Sequence, residues 1–536
     1  MNSAPLGRTI TRQPNRYSGQ MSANTAAQTP DGVCFPAGGD GKRSTSATGR
    51  AIFADCVRGV DSSLAERIEH TRDWRSGYLT PIRDIVAAAT LTSAAALQVS
   101  SDGLASAHRR FRFGRGGSDY AIDEAMGVFT SQGFGSVQVQ GAAQLESDLS
   151  LPYHGRRLFG RHLRDQVDQW VAGGIAEPSF GEAIHLVLDN PEWLDLRGVD
   201  IALLGAGAEM GPIRSLLRWG ATVHAVDLQR PALWQRLIDI ARSTAGSIRI
   251  PIELDADGNP PLVVDGLVHP EDDLAIANVA GANLLTHTPE VRTWLAEIEK
   301  QFVLGTYAYA DGATHVLLSM AADAVVADLL NGRDDITLAY LATPTDTFMV
   351  PLDAVLESRR RWDSRGFSGL LQAPLRTLKQ FEPNYPQTIF AADGTEVGLN
   401  DSLISQQGAN YALAKRLQRW RALVARSTGT PVSINLAPAT RTQSVVKSRA
   451  LAAAYAGADR FGIEVFDPAT STTLMAALLV HDLRNPNATA NPATKLRNPT
   501  ELFVQGANHG GLWRAAYSPR SVLGIAAILG MFESRA

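Results

Sequence analysis

The chain has 536 residues, 45% of them hydrophobic and 19% charged. That is too long for one ordinary core and too apolar for a disordered or fibrous chain, so two or three folding units are expected. The formal net charge of −4 gives no reason to expect a nucleic-acid partner. Cys34 and Cys56 form neither a CxxC pair nor a metal-ligand spacing, and such thin cysteine use fits a reducing, cytoplasmic setting. No run approaches the roughly 18 apolar residues that span a bilayer, so no membrane partner is expected.

Residues 1–54 are read as a disordered tail, rich in Gly, Ser, Thr and Pro. The opening residues lack an apolar signal-peptide core. Rich in Arg, Ser and Thr with no acid before Asp31, they have the composition of a transit peptide or of a plain tail. Residues 55–196 carry mostly helical patterns, with amphipathic stretches at Leu163 to Val171 and Phe180 to Leu188. The basic stretch from His108 to Arg115 is read as a solvated loop rather than an anion patch. From Val199 the texture changes to alternating strands and helices. Strands are expected at Ile201–Leu204, Thr222–Val226, Ile248–Ile252, Leu274–Val279, Ile336–Leu341 and Val432–Leu436. Helices are expected at Pro231–Arg242, Thr314–Leu330 and Ser405–Arg426. Residues 346–400 break the rhythm and read as an insertion, and Val522 to Phe532 reads as a packing helix. A βαβ series of this kind gives an α/β fold with a doubly wound parallel sheet of Rossmann type over 197–480. The mostly helical region precedes it, and 481–536 follow as a segment for substrate or oligomer contacts.

Gly205-Ala-Gly-Ala-Glu-Met-Gly211 follows the first strand and opens a helix. Glycines there permit a tight turn and close approach to a pyrophosphate, and a helix N-terminus supplies amide donors. Asp227 lies 20 residues after Gly207, at the end of the second strand, where a carboxylate accepts hydrogen bonds from ribose hydroxyls. That carboxylate favours NAD slightly over NADP, although Arg230 stands close by. Farther on, Tyr411 and Lys415 sit four apart on one helix, on the face opposite Leu413, Leu417, Trp420 and Val424. An ammonium beside a phenol lowers its pKa and makes it a usable acid or base near neutrality.

At this point the sequence resembles the short-chain dehydrogenase/reductase family over roughly residues 197–480. Leu204 to Gly211, with Gly205, Gly207, Met210 and Gly211, looks like the family's glycine turn. Asn278-Val-Ala-Gly281 looks like its Asn-Asn-Ala-Gly segment. Tyr411 and Lys415 fall on its catalytic helix, and Leu436-Ala-Pro438-Ala-Thr-Arg-Thr442 is similar to its Pro-Gly turn. Leu204 replaces the usual threonine, Glu209 stands at a glycine position and Ala439 follows Pro438 in place of glycine.

The resemblance implies hydride transfer between NAD or NADP and a small-molecule or acyl carbonyl/alcohol substrate. Tyr411 is then the general acid/base, and Lys415 tunes it and holds the nicotinamide ribose. Gly205, Gly207, Met210, Gly211, Asp227, Asn278, Gly281, Pro438 and Thr442 line the cofactor. The substrate-polarising hydroxyl has no single position, with Thr343, Thr345, Ser402 and Ser405 as candidates. The family's dimers and tetramers imply a homo-oligomer. The insertion and Gly506–Trp513 form a lid or substrate wall, with His509 a loop residue. Two other readings remain open: an S-adenosylmethionine-dependent methyltransferase, which uses a similar turn and acid, and a catalytically degenerate nucleotide-binding scaffold.

Overall fold

A computed structural model describes residues 29–255, 258, 260, 272–366 and 372–533. Its centre is a seven-stranded sheet. In chain order the strands are β1 (Phe134–Gln140), β2 (Asp200–Leu204), β3 (Thr222–Val226), β4 (Ser247–Glu253), β5 (Phe302–Thr306), β6 (Ile336–Ala342) and β7 (Val432–Leu436). They lie in the order β7-β6-β5-β2-β3-β4-β1. All neighbours run parallel except β1, which pairs antiparallel with β4 at the edge. The chain is therefore α/β. The apolar runs of β2 and β3 reflect burial on both faces. Ala202 and Leu204 enter one core, with the helices Ala313–Gly332 and Gly408–Ser427. Ile201 and Leu203 enter the other, with Pro231–Arg242 and Pro468–Arg484.

One expected strand fails, and the region read as mostly helical contains strands. Leu274–Val279 lies within a helix, Asp273–Val279, whose start is fixed by the Asp272 carboxylate accepting from the Ala275 amide at 2.9 Å. The fourth parallel strand is Phe302–Thr306 instead, which extends across both β2 and β6. β1 lies in the region read as mostly helical, and its exposure alternates as an edge strand's does. That region also holds Arg112–Arg115, Ser118–Ala121 and the hairpin Ser150–Tyr153/Arg156–Phe159. Residues 346–400 do stand outside the main sheet. Thr347–Pro351 and Thr388–Phe390 flank Glu396–Asp401 in a separate antiparallel sheet.

The expected tail is folded in its described part, while residues 1–28 lie outside the described residues. Gly32–Cys34 pairs with Arg112–Arg115, and Thr45–Arg58 is a helix capped by Ser44. Phe53 and Cys56 on that helix are fully buried. The basic stretch is not a solvated loop either. Phe111 and Phe113 are core residues, and Arg115 makes a two-pronged pair with Glu290. Ala313–Gly332 has the length and composition of a bilayer-crossing helix. It packs between other helices, and its Asp323 is ion-paired inside the molecule.

That ion pair belongs to a cluster joining the N-terminal helices to the sheet's helices. His108 Nδ1 meets Asp123 and Nε2 meets Asp323, both at 2.8 Å, while Arg421 grips Asp323 with two hydrogen bonds. Burial alone would lower the His108 pKa. The two carboxylates outweigh it and raise the pKa to about 9. A group whose folded pKa is raised gives its full stabilisation below its unfolded value of about 6.5 and loses it as pH rises through about 9. Denaturant midpoints should therefore fall between these limits in the wild type and show a flatter profile in His108→Gln. Identical profiles would rule out this linkage.

Candidate functional site

The carboxyl ends of the parallel strands gather most of the expected residues. In open α/β sheets this is the edge where ligands bind, at the point where strand order reverses. Here that point lies between β2 and β5. Gly205 leaves β2 with φ +87°, and a Cβ there would lie 2.4 Å from backbone atoms of Ala308, which follows β5. Glycine is required because two backbones cross at this spot.

The turn binds itself to Asp227. The carboxylate accepts from the Gly207 amide through Oδ2 and from the Leu228 amide through Oδ1, each at 2.8 Å. Burial nevertheless keeps its pKa above the ordinary carboxylate value. Arg236 donates to the Gly207 carbonyl at 3.0 Å, and Arg230 also lies near Asp227. The following helix, Ile213–Arg218, starts after Pro212, which has no N–H to offer. Among the described residues the Glu209 and Met210 amides have no protein acceptor. Glu209 caps the opposite loop instead, accepting from the Gln443 amide at 2.8 Å. Thr442 immediately precedes the short helix that Gln443 begins.

This donor set is compatible with a dinucleotide. Two unused amides at the tip of the turn suit a phosphate, and each Asp227 oxygen accepts only one bond and retains capacity for a ribose hydroxyl. The fit is leaner than the sequence implies, because Gly207 spends its amide on Asp227 and the helix contributes little.

Asn278 and Gly281 follow a different strand from the one expected, although Gly281 still reaches the carboxyl edge, where its amide donates to the Pro251 carbonyl and the Ala282 amide to the Asp227 carbonyl. They lie in the connection between β4 and β5, not after the fourth parallel strand. Asn278 is exposed, and Gly281 (φ +115°) packs against Trp234 and the Asp227–Gln229 backbone. The segment that does follow β5 is Tyr307 to Gly312, and it was not anticipated.

It leads to Tyr309 and His315, which join Tyr411 in an aromatic cluster. The His315 and Tyr411 rings stack at 5.6 Å, and Tyr309 stands 4.8 Å from His315 and 6.5 Å from Tyr411. The electrostatics differ from expectation. Burial raises the Tyr411 pKa well above its ordinary value, with Thr343 hydrogen bonding only partly opposing it. Lys415 turns from the phenol to the Leu341 carbonyl (3.3 Å) and Gln418 Oε1 (3.1 Å). Burial also lowers its own pKa to about 8. Tyr411 is thus a neutral phenol, a proton donor rather than a ready base.

Of the candidate hydroxyls, Thr343 lies beside Tyr411 and 3.1 Å from Thr345. Thr345 accepts from Gln407. Ser402 is fully buried and donates to Asn400 at 2.6 Å, away from the aromatic cluster. Ser405 is exposed. Pro438 follows β7, with its carbonyl accepting from Thr440.

Gly506–Trp513, expected as a lid or substrate wall, is largely buried in the fold. His509 is fully buried between Glu177 (2.9 Å) and the Gly511 amide, and Arg514 clamps both Glu177 oxygens. The inserted sheet packs on this segment through Tyr385, which donates to the Trp513 carbonyl. His315 and Tyr309 escaped sequence reading because no spacing links them to Tyr411. Only the location of β5 brings them together. Compared with known proteins, the chain matches no family model and no curated sequence.

Proposed function

We propose that this chain is a doubly wound nucleotide-binding protein acting as an NAD(P)-dependent oxidoreductase of short-chain dehydrogenase/reductase type. The observation that carries the reading is the strand order. Numbered from β2, the six parallel strands run 3-2-1-4-5-6, with the glycine turn after the first and Asp227 after the second. This is the order of the two-halved dinucleotide fold. It favours a dinucleotide over the methyltransferase alternative, which leaves Tyr411 and Lys415 without a role.

Bound nicotinamide would supply the hydride. The turn amides and Asp227 would hold its adenosine half. Arg230 and Arg236 beside Asp227 give NADP a cationic contact that Asp227 alone would deny it. Tyr411, kept protonated by burial, would present its hydroxyl as a hydrogen-bond donor to a carbonyl oxygen.

Thermal stabilisation by NADH, NADPH and S-adenosylmethionine tests the reading. A ligand at 100 times its dissociation constant adds about 2.7 kcal/mol. A shift with a nicotinamide nucleotide alone is expected. A shift with S-adenosylmethionine alone would replace the oxidoreductase by a methyltransferase, and no shift with any of the three would leave a cofactor-free scaffold.

A further inference from the structure

The aromatic cluster holds a hydrogen-bond donor with nothing to donate to. His315 is 1% exposed. Its Nδ1 accepts the Ala310 amide at 3.2 Å, which places the ring hydrogen on Nε2 in the neutral imidazole. Among the described residues Nε2 has no partner. Leaving a buried donor unmade is costly, so its presence points to an acceptor that the described residues do not provide.

A second feature stands independently beside it. Lys415 is half-buried with two neutral acceptors, the Leu341 carbonyl and Gln418, and among the described residues no carboxylate pairs with it. Asp346, the carboxylate that acts on Lys415 through space, is already bound to both Arg416 and Arg419. Counting Lys415 with this trio gives three cations against one anion. The Lys415 charge also reaches His315 and helps burial push the imidazole down to about 3, so His315 stays a neutral donor at every working pH. Tyr309, whose ring stands 4.8 Å from His315, is 48% exposed and donates to Asp311 at 3.1 Å.

We propose that His315 Nε2–H and the Lys415 ammonium form a binding site for an anionic oxygen group, a carboxylate or a phosphate, beneath Tyr309. A neutral imidazole donor and an ammonium recognise an oxyanion together, the ammonium through a charge-assisted hydrogen bond. His315 stacks on Tyr411, and Lys415 lies one turn along the same helix from Tyr411, so both donors stand beside one ring. That its ligand is a group of the substrate rests on the oxidoreductase reading, in which Tyr411 faces the same space. The substrate class is then an anionic carbonyl compound.

The test omits nicotinamide nucleotides, so that it stands or falls apart from cofactor binding. Full-length protein with 15N-labelled histidine is titrated with sodium acetate and, separately, inorganic phosphate, at constant ionic strength against chloride. The His315 Nε2–H resonance is expected to move with one of them. Movement with acetate identifies a carboxylate ligand, and movement with phosphate a phosphate ligand. No movement with either overturns the site. By calorimetry His315→Phe, which keeps a ring against Tyr411, and Lys415→Met should each weaken the active anion about tenfold or more. His315→Gln, which keeps a donor, should stay within about threefold. Wild-type affinity in both His315→Phe and Lys415→Met would equally overturn it.

Discussion

Asp346→Ala is expected to destabilise the protein by about 3–5 kcal/mol, the usual cost of removing one partner from a buried ion cluster. Asp346 is 2% exposed and binds two arginines that are themselves buried, Arg416 at 3% and Arg419 at 6%. Burial alone would raise the Asp346 pKa, but Arg416 and Arg419 outweigh it and hold the carboxyl below its usual range. Without the carboxylate both guanidinium groups stay inside with no counter-charge. Arg419 keeps only the Thr347 carbonyl and the faces of Phe348 and Phe503. The damage should reach the candidate site, because Asp346 closes the loop Thr343–Thr345 that lies beside Tyr411. It also steadies the inserted sheet, where its carboxylate accepts from the Thr347 amide at 2.7 Å. Urea denaturation of wild type and variant measures the difference. A loss under 1 kcal/mol would show that the arginines find other partners and that the trio does not hold this loop. A low-pH arm carries the same sign. A depressed carboxyl gives stability that is lost as pH falls through its folded pKa, so the gap between wild type and variant should narrow in acid.

Why the sequence revealed the sheet and missed part of the site follows from what each residue senses. Buried parallel strands are short apolar runs between turn signals, and β2, β3, β4, β6 and β7 were all legible for that reason. β5 was not. Phe302–Thr306 contains Gly305, and the nearby Leu274–Val279 looks more strand-like, yet one capping carboxylate at Asp272 makes the latter a helix. That single misplacement set the expected Asn278–Gly281 segment after the wrong strand and hid the segment that brings Tyr309 and His315 to Tyr411. The N-terminal residues misled in a different way. Gly, Ser and Thr enriched before Arg50 read as disorder, whereas Ser44 is a helix cap and Gly32 sits where a Cβ would strike the Leu285 carbonyl at 2.4 Å. Tyr411 and Lys415 were visible as a helical pair. Their charges were not, since these depend on burial and on the direction Lys415 turns, and four-residue spacing specifies neither.

The glycine turn allows its two possible purposes to be separated. Gly205→Ala places a Cβ against Ala308 backbone atoms 2.4 Å away at a φ of +87°, so both strain and overlap act at once. A loss of about 2–4 kcal/mol is expected, since neither backbone relieves the contact by a rotamer change. Gly207→Ala is different. Its new Cβ meets the end of Leu233 at 3.0 Å and Arg236 and Asp227 side-chain atoms at 3.2 Å, all of them groups that can shift, so a cost of about 1 kcal/mol is expected. If the turn cradles a dinucleotide, Gly207→Ala should weaken nicotinamide-nucleotide binding by more than its stability loss accounts for. The added methyl crowds the Asp227 carboxylate that bonds the Gly207 amide. Gly205→Ala should then reduce binding only in step with unfolding. Equal, small losses of stability in both variants would show that the crossing of β2 and the Tyr307–Ala308 segment is looser than drawn. Intact nucleotide affinity in a folded Gly207→Ala protein would place the ligand away from this turn and leave the glycines to backbone packing alone.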